Sequence, residues 1–366
     1  RGFLFYVYRL ACYDIPMKET KEQEHVALYR KHRPATFADV VGQEHIVTPL
    51  EKSIANEKVS HAYLFSGGRG TGKTTIARIF ARALGTHDED IYEMDAASNR
   101  GIDDIRELRE AVRTLPFSSK YKVYILDEVH MLTKDSWGAL LKTLEEPPRH
   151  VIFILATTDV HKVPDTIVSR CEVYTFRLPT ERILAEHMTV VAKREKVKLA
   201  DGVAELIALA GDRSYRDAIG MLQKLIAASR DTTITIGEAE EILGAPSQRL
   251  VRELFVAMQS SSITEALSVT SEIEKSNRDI QIYLKRFLNR FRVVLFLRYG
   301  KGAVLPFDIG EDDLAFAKEL AQVKGSVFTS ASLARLIDAY QDTNRSPVAI
   351  LPLEIALMEI LGEKPE

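Results

Sequence analysis

The sequence predicts an α/β fold in which a parallel sheet is followed by a wholly helical region. Short apolar runs alternate with helical patterns between Val26 and Leu178, as expected for parallel strands joined by crossover helices. A glycine-rich phosphate-binding motif follows the first of these runs, and only helical patterns occur after Pro179. These three observations together determine the predicted fold class.

Five strands are predicted between these limits. Several of them are almost continuously apolar, which is typical of parallel strands that are buried on both faces. In chain order the predicted strands are AYLFS (62–66), IYEMD (91–95), KVYILD (122–127), VIFILATT (151–158) and VYTFRL (173–178).

Four short amphipathic helices are predicted after Pro179, because apolar residues recur there with helical spacing between glycines and polar turns. They are ERILAEHMTVVAKRE, DGVAELIALAG, SYRDAIGMLQKLIAAS and TIGEAEEILG. Longer helical patterns follow Pro246, among them LVRELFVAMQ and DIQIYLKRFLNRFRVVLFLRYG. Basic residues interrupt the last pattern, which indicates a packed or interface helix and not a membrane span. These residues are Lys285, Arg286, Arg290, Arg292 and Arg298.

Length and composition are those of a soluble globular protein of two or three domains, with 366 residues, 46% of them hydrophobic and 28% charged. The formal net charge of −3 excludes a basic nucleic-acid coat protein, so that any DNA contact must come from a local patch. Two cysteines, Cys12 and Cys171, cannot build a disulfide framework and suit a reducing cytosol. We therefore expect a cytoplasmic protein.

The first residues are expected to lie outside the fold. The apolar run FLFYVY is too short to span a bilayer, and no convincing signal-peptide cleavage site follows it. Met17, followed by KETKEQEH, resembles an ordinary N-terminus, so residues 1–16 are interpreted as lying upstream of the natural start. A peripheral membrane anchor is the alternative for this segment.

A phosphate site is predicted at GGRGTGKTT, between the strand AYLFS and the helix IARIFARAL. The motif fits G-x-x-x-x-G-K-[ST], in which backbone N–H groups and the helix N-terminus surround phosphates. Lys73 is expected to reach the β- and γ-phosphates and the Thr74 hydroxyl to bind Mg²⁺. A glycine-rich turn without a ligand is the alternative, and the flanking strand and helix argue against it. The predicted nucleotide-binding residues of the motif are Gly67, Gly68, Arg69, Gly70, Thr71, Gly72, Lys73, Thr74 and Thr75.

A second half of the site is predicted at the ends of two later strands. In YILDEVH, Asp127 is placed to hold the magnesium ion and Glu128 to orient and deprotonate an attacking water. A solvated acidic pair is the alternative. Because phosphate binding alone does not need Glu128, the pair favours hydrolysis over simple binding. Thr158, at the end of VIFILATT, is placed to contact the γ-phosphate or the water, or simply to cap a turn.

The stretch VSRC places a cysteine beside an arginine. Cys171 has neither an activating base nor further ligands near it in the sequence, so we interpret it as a small buried side chain at a strand start. Arg170 follows the γ-phosphate strand at the edge of the fold, where it is better placed to reach a neighbouring subunit's nucleotide than its own. A surface arginine paired with Glu172 or Asp165 is the alternative.

Seven segments, in order, closely resemble the gamma/tau subunits of the bacterial DNA polymerase III clamp loader. The resemblance extends from about Ala27 to Glu363 and is strongest up to Leu222. The segments are RKHRPATFADVVGQEHI, HAYLFSGGRGTGKTTIARIFARAL, EMDAASNRGIDDIREL, KVYILDEVHMLTKDSWGALLKTLEEPP, ILATTDVHKVP, VSRC and SYRDAIGML.

The resemblance implies an AAA+ P-loop domain, a five-stranded parallel sheet with helices on both faces, followed by a small helical lid and an all-α collar that forms a ring. It implies that ATP and Mg²⁺ bind at Lys73, Thr74 and Asp127, with Glu128 beside them. The implied boundaries are 1–26 for the tail, 27–178 for the ATPase domain, 179–243 for the lid and 244–362 for the collar.

Further roles follow from the resemblance, position by position. It implies that Thr158 is the first sensor and Arg170 an arginine finger that acts in trans. Arg216, in SYRDA, would be the second sensor, reaching the γ-phosphate in cis from the lid; a surface arginine paired with Asp217 or Asp212 is the alternative. The stretch that wraps the nucleotide base in similar proteins matches Tyr29, Arg33, Pro34 and Val41.

One departure from the family concerns zinc. Most members carry four cysteines between the phosphate-loop helix and the next strand, whereas GTHDEDIYEMD occupies this place here. His87, Asp88, Glu89 and Asp90 form a poor zinc set. We therefore predict that the chain binds no zinc.

Two surface contacts are also predicted. Leu115 and Phe117, in TLPF, are candidate apolar contacts for a sliding clamp, with ordinary packing under the sheet as the alternative. Arg100 and Lys142 are candidate DNA contacts inside a spiral of subunits, with plain surface positions as the alternative.

The resemblance as a whole implies an ATP-hydrolysing motor subunit that opens a sliding clamp and loads it onto primer–template DNA. Its implied partners are subunits of the delta and delta-prime type, copies of itself, the clamp and the DNA, with no membrane. Two alternatives remain: a related AAA+ ATPase that remodels DNA junctions or stalled forks, and an ATP-binding scaffold subunit of the same complex. The motifs LLKTLEEPP and SRC speak against the first, and intact phosphate-loop and acidic residues speak against the second.

Overall fold

The computed structural model describes residues 27–229, 231–245, 247–276, 279–300, 311–323 and 327–362. The predicted tail, with Cys12 and Met17, lies outside these described residues. The strands are β1 Ala62–Ser66, β2 Ile91–Asp95, β3 Lys122–Asp127, β4 Val151–Thr157, β5 Glu172–Thr175, β6 Lys198–Leu199 and β7 Thr233–Ile234.

The first five strands form one parallel sheet, which confirms the predicted fold class. Their order is β2-β3-β4-β1-β5, so β1 lies between β4 and the edge strand β5. Every residue of β1 and β4 is buried. The register pairs Ser66 with Thr157, and Asp95 with Asp127. The carboxyl ends of these strands therefore meet at one edge of the sheet.

Two predicted strand ends were wrong. The fourth strand ends at Thr157, and the fifth covers 172–175 instead of 173–178. The side chain of Gln43 explains the second difference: its Nε2 donates to Arg177 O at 2.7 Å, and Arg177 N donates to its Oε1 at 3.2 Å. The Gln43 amide thus satisfies backbone groups that a longer β5 would have paired with β1.

Helices cover both faces of the sheet. The helices of this part are α1 Leu28–Lys31, α2 Glu44–Ala55, α3 Lys73–Ala83, α4 Ile102–Val112, α5 Lys134–Glu145 and α6 Asp165–Val168. On one face, α2 and α3 bury Ile46, Leu50, Ile76 and Phe80 against the strands. On the other face, α4 and α5 bury side chains that include Ile105 and Leu140.

Four helices follow and enclose a separate cluster of buried side chains. They are α7 Glu181–Arg194, α8 Val203–Ala210, α9 Tyr215–Ala228 and α10 Ile236–Leu243. Leu28 of α1 packs into this cluster, and its backbone N–H donates to the Gln223 side chain of α9 at 2.9 Å. The expectation of helices alone after Pro179 was wrong, because β6 and β7 pair as a short parallel sheet here. We refer to α7–α10 as the lid.

The last six helices enclose a fourth cluster. They are α11 Gln248–Gln259, α12 Ile263–Lys275, α13 Ile280–Tyr299, α14 Glu311–Gln322, α15 Ser330–Asp342 and α16 Leu351–Leu361. Phe255, Phe287, Phe291 and Phe328 form its aromatic centre. In the described ranges no helix, α13 included, combines the length and the apolarity that crossing a membrane requires. We refer to α11–α16 as the collar, and the boundaries at residues 178 and 243 stay predictions.

The loop after α4 is fixed by a buried carboxylate. Asp90 accepts hydrogen bonds from the backbone N–H groups of Phe117, Ser118 and Ser119, at 2.6, 3.0 and 2.9 Å. Burial opposes the charge on Asp90, but the N–H groups of Ser118 and Phe117 outweigh this effect and lower its pKa from 3.8 to about 2. This loop carries Leu115 and Phe117, whose side chains are 77% and 85% exposed.

Asp90→Asn is expected to lower the free energy of unfolding by about 2 kcal/mol at pH 7, because charge-assisted hydrogen bonds are lost. A carboxyl group whose pKa is depressed by folding stabilises the fold above its unfolded pKa and loses this effect as the pH falls through its folded value. The difference should therefore shrink as the pH falls from about 5 towards 2. Urea unfolding at several pH values measures it.

Asp103→Asn is the control, because Asp103 pairs with Arg106 at an exposed position. We expect a change below about 0.5 kcal/mol for this variant at every pH. Equal destabilisation by both substitutions would contradict the role given to Asp90.

Candidate nucleotide-binding site

The loop between β1 and α3 has a backbone that only glycine adopts easily. Gly67 has φ +149°, and a Cβ there would lie 2.6 Å from the carbonyl oxygen of Phe176. Gly70 has φ +69°, and a Cβ there would collide with the Ser214 hydroxyl of the lid. The loop is thus packed between the end of β5 and the N-terminus of α9.

Lys73 is the first residue of α3, and its side chain is buried. Its Nζ donates to the carbonyl oxygens of Gly67 and Gly68, at 2.9 and 3.0 Å. Burial lowers the pKa of Lys73, while the nearby carboxylates of Glu128 and Asp127 act in the opposite direction. The ammonium group is therefore held inside the loop curve, where phosphate oxygens can replace the two carbonyl contacts.

Thr74 and Asp127 meet although they are far apart in sequence. The Thr74 hydroxyl donates to Asp127 Oδ2 at 2.6 Å, and Glu128 N donates to the other carboxylate oxygen at 2.9 Å. A hydroxyl and a carboxylate oxygen are the kind of hard ligand that Mg²⁺ accepts beside substrate phosphates. The residues present therefore fit a magnesium–nucleotide complex.

Glu128 has a strained backbone and a fixed side chain. Its φ of +50° is in the left-handed region, which is rare outside glycine. Its Oε2 accepts hydrogen bonds from Thr158 N at 3.2 Å and Thr158 Oγ1 at 2.9 Å, and lies 3.3 Å from His130 Nδ1. The Thr158 hydroxyl thus holds Glu128 here, and its contact with a γ-phosphate or water stays a prediction.

One cleft joins the loop, the acidic pair and the lid. It is lined by most of the predicted residues, namely Tyr29, Arg33, Pro34, Val41, Arg69, Gly70, Thr71, Gly72, Lys73, Thr74, Thr75, Asp127, Glu128 and Arg216. Gly67 and Gly68 contribute the carbonyl contacts beneath it. Thr158 and Arg170 do not line it within the described part of the chain.

Arg216 points into this cleft from the second residue of α9. Its guanidinium lies over the Tyr29 ring, 5.1 Å from the ring centroid. Asp212, one of the partners considered for it, binds Lys285 instead at 2.7 Å. Burial, and then the charge of Arg78, lower the pKa of the half-buried Arg33 nearby. Several arginines therefore gather where an anionic ligand would lie.

Arg170 and Cys171 lie apart from the cleft. Arg170 Nη2 is 2.8 Å from Glu145 Oε1, and its Nη1 donates to Thr166 O at 2.7 Å. Its acidic partner is thus Glu145 at the end of α5, and not Glu172 or Asp165. Burial raises the pKa of the Cys171 thiol to about 11, which excludes an activated nucleophile at neutral pH.

The predicted surface contacts are exposed. Leu115 and Phe117 project from the loop held by Asp90, so they do not pack under the sheet. Arg100 and Lys142 are exposed as well. Arg100 O accepts a hydrogen bond from Ser136 Oγ at 2.8 Å, which fixes its backbone against α5.

Several residues in or beside the cleft were not predicted from the sequence. Gln43 stands in VVGQEH and bridges to Arg177, whereas His187 of α7 lines the cleft beside Tyr215. Ser214 caps α9 and touches Gly70. Only Gln43 and Ser214 lie within recognisable motifs, and no local pattern marks His187.

Comparisons with known proteins agree with this geometry. A family model described as DNA polymerase III, delta subunit, matches residues 42–101 and 86–180. DNA polymerase III subunit tau of Bacillus subtilis (strain 168) is 41% identical over 297 residues, which are 75% of this chain and 53% of that protein. Subunit gamma/tau of Mycobacterium tuberculosis H37Rv is 38% identical over 344 residues, which are 86% of this chain and 58% of that protein.

The chain is a homologue of the DNA polymerase III gamma/tau subunits. It spans little more than half the length of these relatives. The homology confirms the resemblance seen in its motifs.

A solved structure supports the fold of this gamma/tau homologue. The Thermotoga maritima RuvB Holliday junction branch migration motor matches with a TM-score of 0.50 and 22% identity, over 62% of this chain and 80% of that one. The match confirms the AAA+ architecture and carries no further conclusion.

As for metals, the described ranges contain no group of three or more histidine, cysteine or acidic residues placed to hold an ion. The expected lack of zinc stays a prediction.

Gly70→Ala is expected to weaken ATP binding by about tenfold, because the added methyl group forces Ser214 and α9 away from the loop at a cost of about 1–3 kcal/mol. Isothermal titration calorimetry with the full chain measures this affinity. Gly85→Ala is the matched control: Gly85 also has a positive φ, of +78°, but no atom lies within 4 Å of its added Cβ. Equal ATP affinity in the two variants would contradict the loop–lid contact.

Proposed function

We propose that the chain is an ATP-hydrolysing motor subunit of a clamp loader, which opens a sliding clamp and loads it onto primer–template DNA. The observation that carries the proposal is the convergence of Lys73, Thr74, Asp127 and Glu128 on one cleft, in a homologue of DNA polymerase III gamma/tau subunits. A scaffold subunit would not need this complete set.

The residues divide the chemistry among them. The loop N–H groups and Lys73 bind the phosphates, and Thr74 with Asp127 hold the metal. Magnesium, when bound, neutralises charge on the transferred phosphoryl group. Glu128 orients the attacking water and accepts its proton. The contacts from Thr158 and His130 engage Oε2 of Glu128 and orient the carboxylate, so that its other oxygen, Oε1, is the one that would accept the hydrogen bond and then the proton of the water.

Arg170 supplies a cation to the nucleotide site of a neighbouring subunit. It does not line its own cleft, and its partners, Glu145 and a backbone carbonyl, lie at a half-exposed surface position from which it can be released. An arginine finger accelerates phosphoryl transfer by about 10³–10⁵-fold. Hydrolysis would therefore require an assembled interface, which couples it to partners.

Arg216 acts within its own subunit. It reaches the cleft from the lid and needs no neighbour to do so. Its guanidinium would bind the γ-phosphate and make the lid position depend on the nucleotide. The chain thus uses two arginines with different reach, one in cis and one in trans.

Three partner surfaces are proposed. An apolar stripe on α16, formed by Leu351, Ile355 and Met358, is exposed and suits packing against collars of delta, delta-prime or further gamma subunits. Leu115 and Phe117 suit an apolar pocket on the clamp. Arg100 and Lys142 would contact the DNA backbone at exposed positions.

Mixing two defective variants tests the trans arrangement. Lys73→Ala should not bind ATP but keeps its finger, and Arg170→Ala should bind ATP but lacks the finger. Each alone should hydrolyse ATP at least about 10³-fold more slowly than the wild type, and the mixture should recover activity. Phosphate release, with partner subunits, clamp and primed DNA present, measures it.

Arg149→Ala serves as the control for the loss of a surface arginine, because Arg149 is exposed in the turn before β4. Full activity of Arg170→Ala alone would exclude the finger. An inactive Arg170→Ala that no mixture rescues would place its role within its own subunit.

Leu115→Ser with Phe117→Ser is expected to weaken binding to the isolated clamp by about thirtyfold, because exposed apolar anchors at an interface contribute about 2 kcal/mol. The free energy of unfolding should change by less than about 0.5 kcal/mol. Surface plasmon resonance with immobilised clamp measures the affinity. Tyr299→Ser, which removes an exposed aromatic ring from the collar, should leave it unchanged; a thirtyfold loss there would argue against a specific site.

A further inference from the structure

The turn between α8 and α9 holds two consecutive residues in an unfavourable backbone conformation. Asp212 and Arg213 have φ values of +51° and +58°, although neither is glycine. Non-glycine residues in this conformation are energetically unfavourable and persist only where their surroundings hold them. The contacts that hold this turn therefore determine where α9 begins.

The collar supplies one of these contacts. Lys285 Nζ donates to Leu209 O at 3.0 Å, at the C-terminal end of α8, and to Asp212 Oδ1 at 2.7 Å. The lysine side chain is only 23% exposed, whereas that of Asp212 is 87% exposed. A cation at a helix C-terminus adds a favourable interaction to the exposed ion pair, which alone would contribute little.

Lys285 belongs to a face of α13 that is turned towards the lid. Ile282, one turn earlier, packs against the lid cluster, and Asn289, one turn later, donates to Glu181 Oε1 of α7 at 3.0 Å. The other side of α13 buries Phe287 and Phe291 in the collar. A shift of the collar core would therefore move Lys285 with it.

On its other side the turn contacts the nucleotide site. Arg213 Nε donates to Pro179 O at 2.8 Å, in the segment that joins the sheet to the lid. Ser214 touches Gly70, and Tyr215 N donates to Gly70 O at 3.1 Å. Arg216 follows directly and lines the cleft. Only three residues, Arg213, Ser214 and Tyr215, thus separate the collar contact at Asp212 from the arginine in the site.

We infer that Lys285 is a positioning residue, through which the collar holds the turn at Asp212 and thereby sets the position of Arg216 over the cleft. The inference deepens the proposed function and rests on it. Lys285 is not among the residues that line the cleft in the described part of the chain. It fixes the strained turn, and the turn fixes the first residues of α9 against the phosphate loop.

Hydrogen exchange of the full chain without nucleotide tests the first step. In Lys285→Met the backbone amides of Tyr215 and Asp217, which bond to Gly70 O and Ser214 Oγ, should exchange about tenfold faster than in the wild type. Lys285→Arg, which keeps the charge and a donor, should be close to the wild type. Asp212→Asn, at an exposed side chain, weakens the same contact with less risk to folding and should show a smaller increase.

Steady-state kinetics of the assembled complex tests the second step. Lys285→Met should lower kcat by about threefold to tenfold, in the range by which remote coupling residues act. Affinity for ADP, which has no γ-phosphate for Arg216 to contact, should stay within about twofold. Lys285→Arg should restore kcat. Lys275→Met, an exposed lysine of the same collar, is the matched control and should change neither quantity.

The outcomes separate the two proposals. If the wild type and Lys73→Ala release phosphate equally slowly, the proposed function is overturned. If the wild type is active and Lys285→Met leaves either the exchange or kcat unchanged, the inference is overturned while the proposed function stands. A loss of kcat that Lys285→Arg does not rescue, or that Lys275→Met shares, also overturns it.

Discussion

The position of β1 between β4 and β5 is the constraint on which the rest of the site depends. Its hydrogen-bonded register places Ser66 beside Thr157 and, one strand further, brings Asp127 to the same edge. The phosphate loop leaves the sheet at this edge. The register of the strands therefore brings Lys73 and the N–H groups of the loop close to Asp127 and Glu128. A shift of one residue in this register would turn the alternating side chains to the wrong faces.

Electrostatic balance explains why such a site is stable before any ligand binds. Lys73 is buried, yet loop carbonyls accept its hydrogen bonds and two carboxylates lie near it. Asp127 in turn receives a hydroxyl and a backbone N–H. Each charge is therefore solvated by the protein, which lowers the reorganisation needed when phosphate enters.

Most of the sheet could be predicted from the sequence, because apolar runs and a motif with fixed spacing depend on local chemistry. The length of β5 could not, since it is set by the Gln43 side chain from more than 130 positions away. The roles proposed for Thr74 and Asp127 follow from motif patterns, whereas the contacts of Thr158 with Glu128 and of Lys285 with Asp212 depend on how separate elements pack. No periodicity in the sequence encodes those contacts.

The buried Asp90 has a thermodynamic consequence for the loop that it holds. Association usually loses part of its favourable free energy in restricting loops and side chains, at about 0.5–1.5 kcal/mol for each group that becomes ordered. Three backbone N–H groups of residues 117–119 are already fixed by Asp90 in the free chain. A partner that binds Leu115 and Phe117 therefore meets a loop whose backbone was ordered in part during folding, so that less entropy remains to be lost on binding.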